Sequence, residues 1–135
     1  MKPAAFDYAR PDTVDEALGV LAEGDADAVL LAGGMSLGPM LNMRLVHPSV
    51  LIDLNRIEEL DDIQVTDTGT ATGATTRQAD ILKSRVVAEH VPLLTKAMGF
   101  VGHFQTRNRG TVGGSVAHAD PSAEIPLVAV VLGAN

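Results

Sequence analysis

The chain has no cysteine and no tryptophan, and among its 135 residues only one tyrosine and three phenylalanines. Without thiols it can hold neither a disulfide nor a cysteine-ligated zinc or iron–sulfur site. That absence fits a reducing cytoplasm, the expected location. So few rings leave no stacking platform for bases. Positive charge is also scarce: ten Lys and Arg stand against 17 Asp and Glu, for a formal net charge of -7. This balance argues against a nucleic-acid partner. No apolar run of about 18 residues suggests a membrane span, and the opening residues lack the apolar stretch of a signal peptide. His103, His118, Asp120 and Glu124 do not make a well-spaced ligand set, so no metal site is expected. The Asp15-Glu16 and Glu58 to Asp62 clusters read as caps and solvated faces, and no catalytic acid–base pair is expected.

What is present is a well-patterned folding sequence, 46% hydrophobic and 20% charged. Phe6 to Arg10 predicts a strand stopped by Pro11. Thr13-Val14-Asp15-Glu16 is a capping box for a helix that buries Val14, Ala17, Leu18, Leu21 and Ala22 and ends at Gly24. Ala28 to Leu31 predicts a second strand. Ser36 is then the expected N-cap of a helix with Leu37, Met40, Leu41 and Leu45 inward, and Val50 to Leu54 a third strand. This alternation is the grammar of a parallel α/β unit.

Beyond Asp62 the pattern changes. Ile63 to Thr66 and Thr70 to Ala74 predict a hairpin, and Thr75 or Thr76 caps a helix through Lys83. Pro92 to Val101 predicts a helix with Leu93, Leu94, Ala97, Met98 and Val101 on its apolar side. Asp120 is the expected turn or cap residue before an apolar terminal helix, Ile125 to Leu132. That helix is expected to be covered by further sequence or by another chain. The boundary falls near residues 56 to 62, giving an α/β unit over 1–58 and an α+β unit over 59–135, the second apparently truncated.

Two glycine-rich segments stand out, Ala32-Gly33-Gly34-Met35-Ser36 and Thr111-Val112-Gly113-Gly114-Ser115. Glycine lets another group approach the main chain closely, and successive N–H groups in such a turn form a nest for an anion. The helix expected at Ser36 adds a favourable dipole end. Two nests suit a pyrophosphate better than a single phosphate, and the turns are expected to face one another across a cleft. Arg107 and Arg109 have three open roles: a phosphate, a partner subunit or a carboxylate within the fold.

The ordered pair Leu30 to Leu37 and Arg107 to Ala117, followed by His118-Ala119-Asp120-Pro121-Ser122-Ala123-Glu124, resembles the FAD-binding medium subunit of molybdenum hydroxylases. The group includes carbon monoxide, nicotine and xanthine dehydrogenases. The resemblance covers the whole chain and implies the N-terminal part of a two-subdomain FAD-binding fold of the vanillyl-alcohol-oxidase type. It implies FAD contacts from Ala32, Gly33, Gly34, Met35, Ser36 and Leu37, and from Thr111, Gly113, Gly114 and Ser115. Val101 is implied to line the flavin pocket, and Glu124 to accept a hydrogen bond from the cofactor. The implied role is electron transfer from iron–sulfur clusters on a small subunit to FAD and then to an external acceptor, in a heterotrimer with a large molybdenum subunit. Molybdopterin and the clusters would lie on those partners. The alternatives are a self-contained flavin oxidase of the same fold and a non-catalytic assembly module.

Overall fold

The computed structural model describes residues 1–23, 27–67 and 69–134. The chain divides into two compact units, Met1–Glu59 and Leu60–Asn135. In the first, strands β1 (Asp7–Ala9), β2 (Val29–Leu31) and β3 (Val50–Asp53) alternate with helices α1 (Val14–Glu23) and α2 (Leu37–Asn42). The sheet order is β1-β3-β2, and both pairings are parallel. The central strand β3 therefore carries the core. Leu51 and Ile52 are buried on it, each stabilising the unit by about 1.5–3 kcal/mol through apolar burial.

Helix α1 is capped as its sequence predicts, with one variation. The Thr13 Oγ1 accepts from the Glu16 N–H at 3.2 Å, but the Glu16 carboxylate reaches the Asp12 N–H instead of that of Thr13. Its buried face is narrower than expected. Ala17 is buried, whereas Leu18, Leu21 and Ala22 are exposed. A sheet of three short strands covers one narrow stripe of a helix, not a broad face. Leu41 of α2 is buried, but Leu45 lies beyond the helix end and is 65% exposed. Gly24, the expected stop of α1, lies outside the described residues.

The second unit opens with the antiparallel hairpin β4 (Ile63–Thr66) and β5 (Gly69–Thr72), in register Ile63 opposite Thr72. Among the described residues six helices follow: α3 (Gln78–Lys83), α4 (Arg85–His90), α5 (Pro92–Met98), α6 (Phe104–Arg109), α7 (Val112–His118) and α8 (Glu124–Leu132). Ile81, Val87, Met98, Val101 and Ile125 form the core. Leu93, expected inward, is exposed on α5.

Neither Thr75 nor Thr76 caps α3. Its N-cap position is Arg77, without a side-chain cap bond, and the Thr76 hydroxyl donates to the Asp62 carbonyl at 3.0 Å. The hydroxyl ties the start of the hairpin to the segment leading into α3. Asp120 is likewise no helix cap. Its carboxylate accepts from the Ser122 N–H and hydroxyl in a turn, and Ala123 holds the N-cap position of α8. On α8 only Ile125 and Val128 are buried, while Leu127, Val130, Val131 and Leu132 are exposed. Among the described residues, no helix is long and apolar enough to cross a membrane.

Candidate functional site

The first glycine segment begins where β2 ends. Leu31 is paired with Asp53, and the Leu54 N–H closes the ladder onto the Leu31 carbonyl at 2.9 Å. Beyond it the chain leaves the sheet through Ala32 and Gly33, and Gly34 takes φ +69°. That left-handed dihedral is strained for any residue with a Cβ, and a Cβ on Gly34 would stand 3.0 Å from Leu31 Cδ1. Ser36 occupies the N-cap position of α2 in helical dihedrals and makes no side-chain cap bond. The expected Ser36 cap is therefore absent.

Among the described residues, the N–H groups of Gly33, Gly34, Met35, Ser36 and Leu37 donate no hydrogen bond. Gly33 is buried. Buried backbone donors are paired in nearly all proteins, so the unpaired amide of Gly33 at the carboxyl end of a parallel sheet marks a place for an acceptor, and the half-buried or exposed amides that follow it extend that place to the surface. A pyrophosphate supplies several, and uncharged amides neutralise it without a cationic side chain. The turn fits that group.

The second glycine segment is a different object. Thr111 to Ser115 is the N-cap and first turn of helix α7, not a free turn. The Val112 N–H donates to the Thr76 carbonyl at 3.0 Å and the Gly113 N–H to the Ala74 carbonyl at 3.0 Å. The Gly114 N–H reaches the buried Thr111 Oγ1 at 3.1 Å, and the Ser115 N–H the Thr111 carbonyl at 3.2 Å. Four of the five amides expected to form the second nest, those of Val112 to Ser115, are already satisfied, and only the Thr111 N–H is without an acceptor among the described residues. Gly113 is small for packing: a Cβ there would lie 2.7 Å from both Cα and carbonyl oxygen of Ala74. What this segment can offer a ligand is the half-buried surface of Gly114 and the Ser115 side chain. The second segment is thus a capped helix start and not the open nest expected beside the first.

Arg107 shows a role outside the three left open for the two arginines. Its guanidinium donates to the carbonyls of Val101 at 2.8 Å and Gly102 at 3.1 Å, so it braces the loop after α5 from within the fold. Val101 itself belongs to the buried core. Glu124 begins α8, is half-buried and has no hydrogen-bond or ion-pair partner among the described residues. Its carboxylate is open to an external donor.

A cluster that sequence reasoning missed sits beside the first turn. Asp53, at the end of β3, accepts from the Tyr8 hydroxyl on Oδ2 and from the Asn55 N–H at 2.9 Å on Oδ1, with Arg10 Nε 3.7 Å away. The Asn55 side chain donates to Asp53 Oδ1 and, at 2.8 Å, to the Ala32 carbonyl. Burial pushes the Asp53 carboxyl up, but the hydrogen bonds from Tyr8 and Asn55 and the Arg10 charge outweigh it. They hold Asp53 below the usual carboxylate value. The bond to Asp53, reinforced by burial and the carboxylate charge, pushes the Tyr8 phenol above its ordinary value. A charged residue closing the apolar run Val50-Leu51-Ile52 was the available signal.

Residues 4–135 match the family described as FAD binding domain in molybdopterin dehydrogenase. The chain belongs to that family. FAD is the family's cofactor, and the unpaired amides of the first turn agree with it. The chain is 47% identical over 134 residues to the 6-hydroxypseudooxynicotine dehydrogenase complex subunit alpha of Paenarthrobacter nicotinovorans, covering 99% of this chain and 45% of that protein. It superposes on carbon monoxide dehydrogenase from Hydrogenophaga pseudoflava, lacking the Mo-pyranopterin moiety of its cofactor, with a TM-score of 0.93 and 42% identity. That match covers 96% of this chain and 45% of the other. Quinoline 2-oxidoreductase from Pseudomonas putida 86 gives a TM-score of 0.90 at 44% identity, over 93% of this chain and 44% of that one. The chain thus spans about half the length of the curated relatives it matches. The mixed α/β architecture is that of the N-terminal FAD-binding part of these proteins, and the relatives are named as dehydrogenase subunits.

Proposed function

We propose that this chain is the FAD-binding portion of an electron-transferring medium subunit in a molybdenum hydroxylase complex. Its partners in this reading are a large molybdenum subunit and a small iron–sulfur subunit, in the cytoplasm. FAD, when bound, supplies two-electron chemistry that links one-electron carriers to an external acceptor. The chain's own work is to hold and orient. The amides of Gly33 to Leu37 receive the pyrophosphate, and Ser36 adds a free hydroxyl. Gly114 and Ser115 offer close approach, while Thr111 and Gly113 act by fixing the first turn of α7. Val101, its side chain in the core, contributes backbone, and the Glu124 carboxylate accepts a hydrogen bond.

The observation that carries this reading is the run of unpaired amides on a chain of this family. The test is to purify the protein, release its cofactor by denaturation and identify it by chromatography. Recovery of FAD is expected. Recovery of FMN alone would overturn the pyrophosphate assignment, and a colourless protein that takes up no added FAD would favour the assembly-module reading.

A further inference from the structure

We propose that Asn55 is a positioning residue that aims the first amide of the phosphate-binding turn, with Asp53 and Tyr8 holding it in place. The inference rests on the reading of that turn as a pyrophosphate site. A peptide unit is planar and trans, so its carbonyl and its N–H point in opposite directions, and the described chain contains no cis bond. The Ala32 carbonyl and the Gly33 N–H belong to one such unit. By donating to the Ala32 carbonyl at 2.8 Å, the Asn55 side chain fixes where the Gly33 N–H points, and that N–H is left unpaired for an acceptor.

Nothing within the turn can do this. Ala32, Gly33, Gly34 and Met35 have no hydrogen-bonding side chain, and Ser36 makes no cap bond. With glycine on its far side, the Ala32–Gly33 peptide can rotate at little steric cost. The preceding carbonyl, that of Leu31, is held by the sheet edge and the following one of known bonding, that of Gly34, by the Gly38 N–H at 2.8 Å. Asn55 supplies the restraint between them. Asn55 is in turn held at two points by Asp53 Oδ1, through its N–H and its side chain, while the Tyr8 hydroxyl holds Oδ2. A relay of side chains from β1 and β3 therefore orients a backbone donor at the end of β2.

The test measures dissociation constants of FAD, ADP and riboflavin on the full chain and on Asn55→Ala and Tyr8→Phe. Removing one well-placed hydrogen bond corresponds to roughly tenfold in affinity. Asn55→Ala is expected to weaken FAD and ADP by that factor, in parallel, and to leave riboflavin unchanged. Tyr8→Phe, a milder change at the far end of the relay, is expected to show the same pattern at about twofold. It serves if Asn55→Ala does not fold. Equal binding of FAD by the wild type and both variants overturns the inference alone. So does an equal loss for all three ligands, which would mark a general structural defect. A wild-type chain that binds neither FAD nor ADP overturns the pyrophosphate reading itself.

Discussion

Replacing Gly113 by alanine separates two reasons for a glycine in this motif. A Cβ at that position would stand 2.7 Å from the Ala74 Cα and carbonyl oxygen and 2.8 Å from the Ala74 Cβ. Two of these neighbours are backbone, so helix α7 must move away from the 74–76 segment. That movement stretches the Gly113 bond to the Ala74 carbonyl and the Val112 bond to the Thr76 carbonyl, both now 3.0 Å. Overpacking costs about 1–3 kcal/mol and each weakened hydrogen bond about 1 kcal/mol. The expected loss is about 3–5 kcal/mol, or roughly 10–20 °C in Tm for a chain of this size. The assay is thermal unfolding of Gly113→Ala and wild type, both freed of cofactor. A Tm unchanged within a degree, combined with loss of FAD binding, would refute the packing argument and assign Gly113 to direct cofactor contact.

Gly34→Ala forces a left-handed dihedral on a residue with a Cβ, at about 1–2 kcal/mol. Calorimetric titration should show weaker FAD binding with the same stoichiometry, and unchanged affinity would remove the turn from the site. Asp53 has a folded pKa below its unfolded value, so its contribution to stability is present above about pH 4 and is lost as pH falls through the lower folded value. Asp53→Asn should therefore be less stable than wild type at neutral pH, with the gap closing in acid. A gap constant between pH 2 and 7 in denaturant titrations would contradict this.

The alternation of strands and helices in the first unit was legible because buried residues repeat at intervals that belong to one secondary structure. Val50 to Ile52 could hardly be anything but a buried strand. The second motif was misread for a physical reason. Two adjacent glycines each cost a helix about 1 kcal/mol, so local propensity argues for a turn. The helix exists because Thr111 caps it and because Gly113 lets it sit directly on Ala74, and the second of these partners is 39 residues away in sequence. Helix α4 did carry a local signal, the Ser84 cap on the Val87 N–H. Helix α6 carried none, being polar along most of its six residues. Asp53 itself carried a signal, but its partner was illegible for the same reason as the Ala74 contact: Tyr8 lies 45 residues from its acceptor, and only the parallel pairing of β1 with β3 brings them together.

The unpaired amides of the first turn also bear on how this site can change over generations. A main-chain donor is present whatever side chain is encoded, so exchange of Met35, which is exposed, leaves its N–H intact. Drift at that codon is tolerated as long as the backbone path survives. The positions that cannot drift freely are the ones that set the path: Gly34 through its dihedral and Asn55 through its hold on a carbonyl 23 residues earlier. If the turn holds the pyrophosphate, selection on cofactor binding falls on what sets the backbone path, at Gly34 and at the remote Asn55, and little on the side chain of Met35.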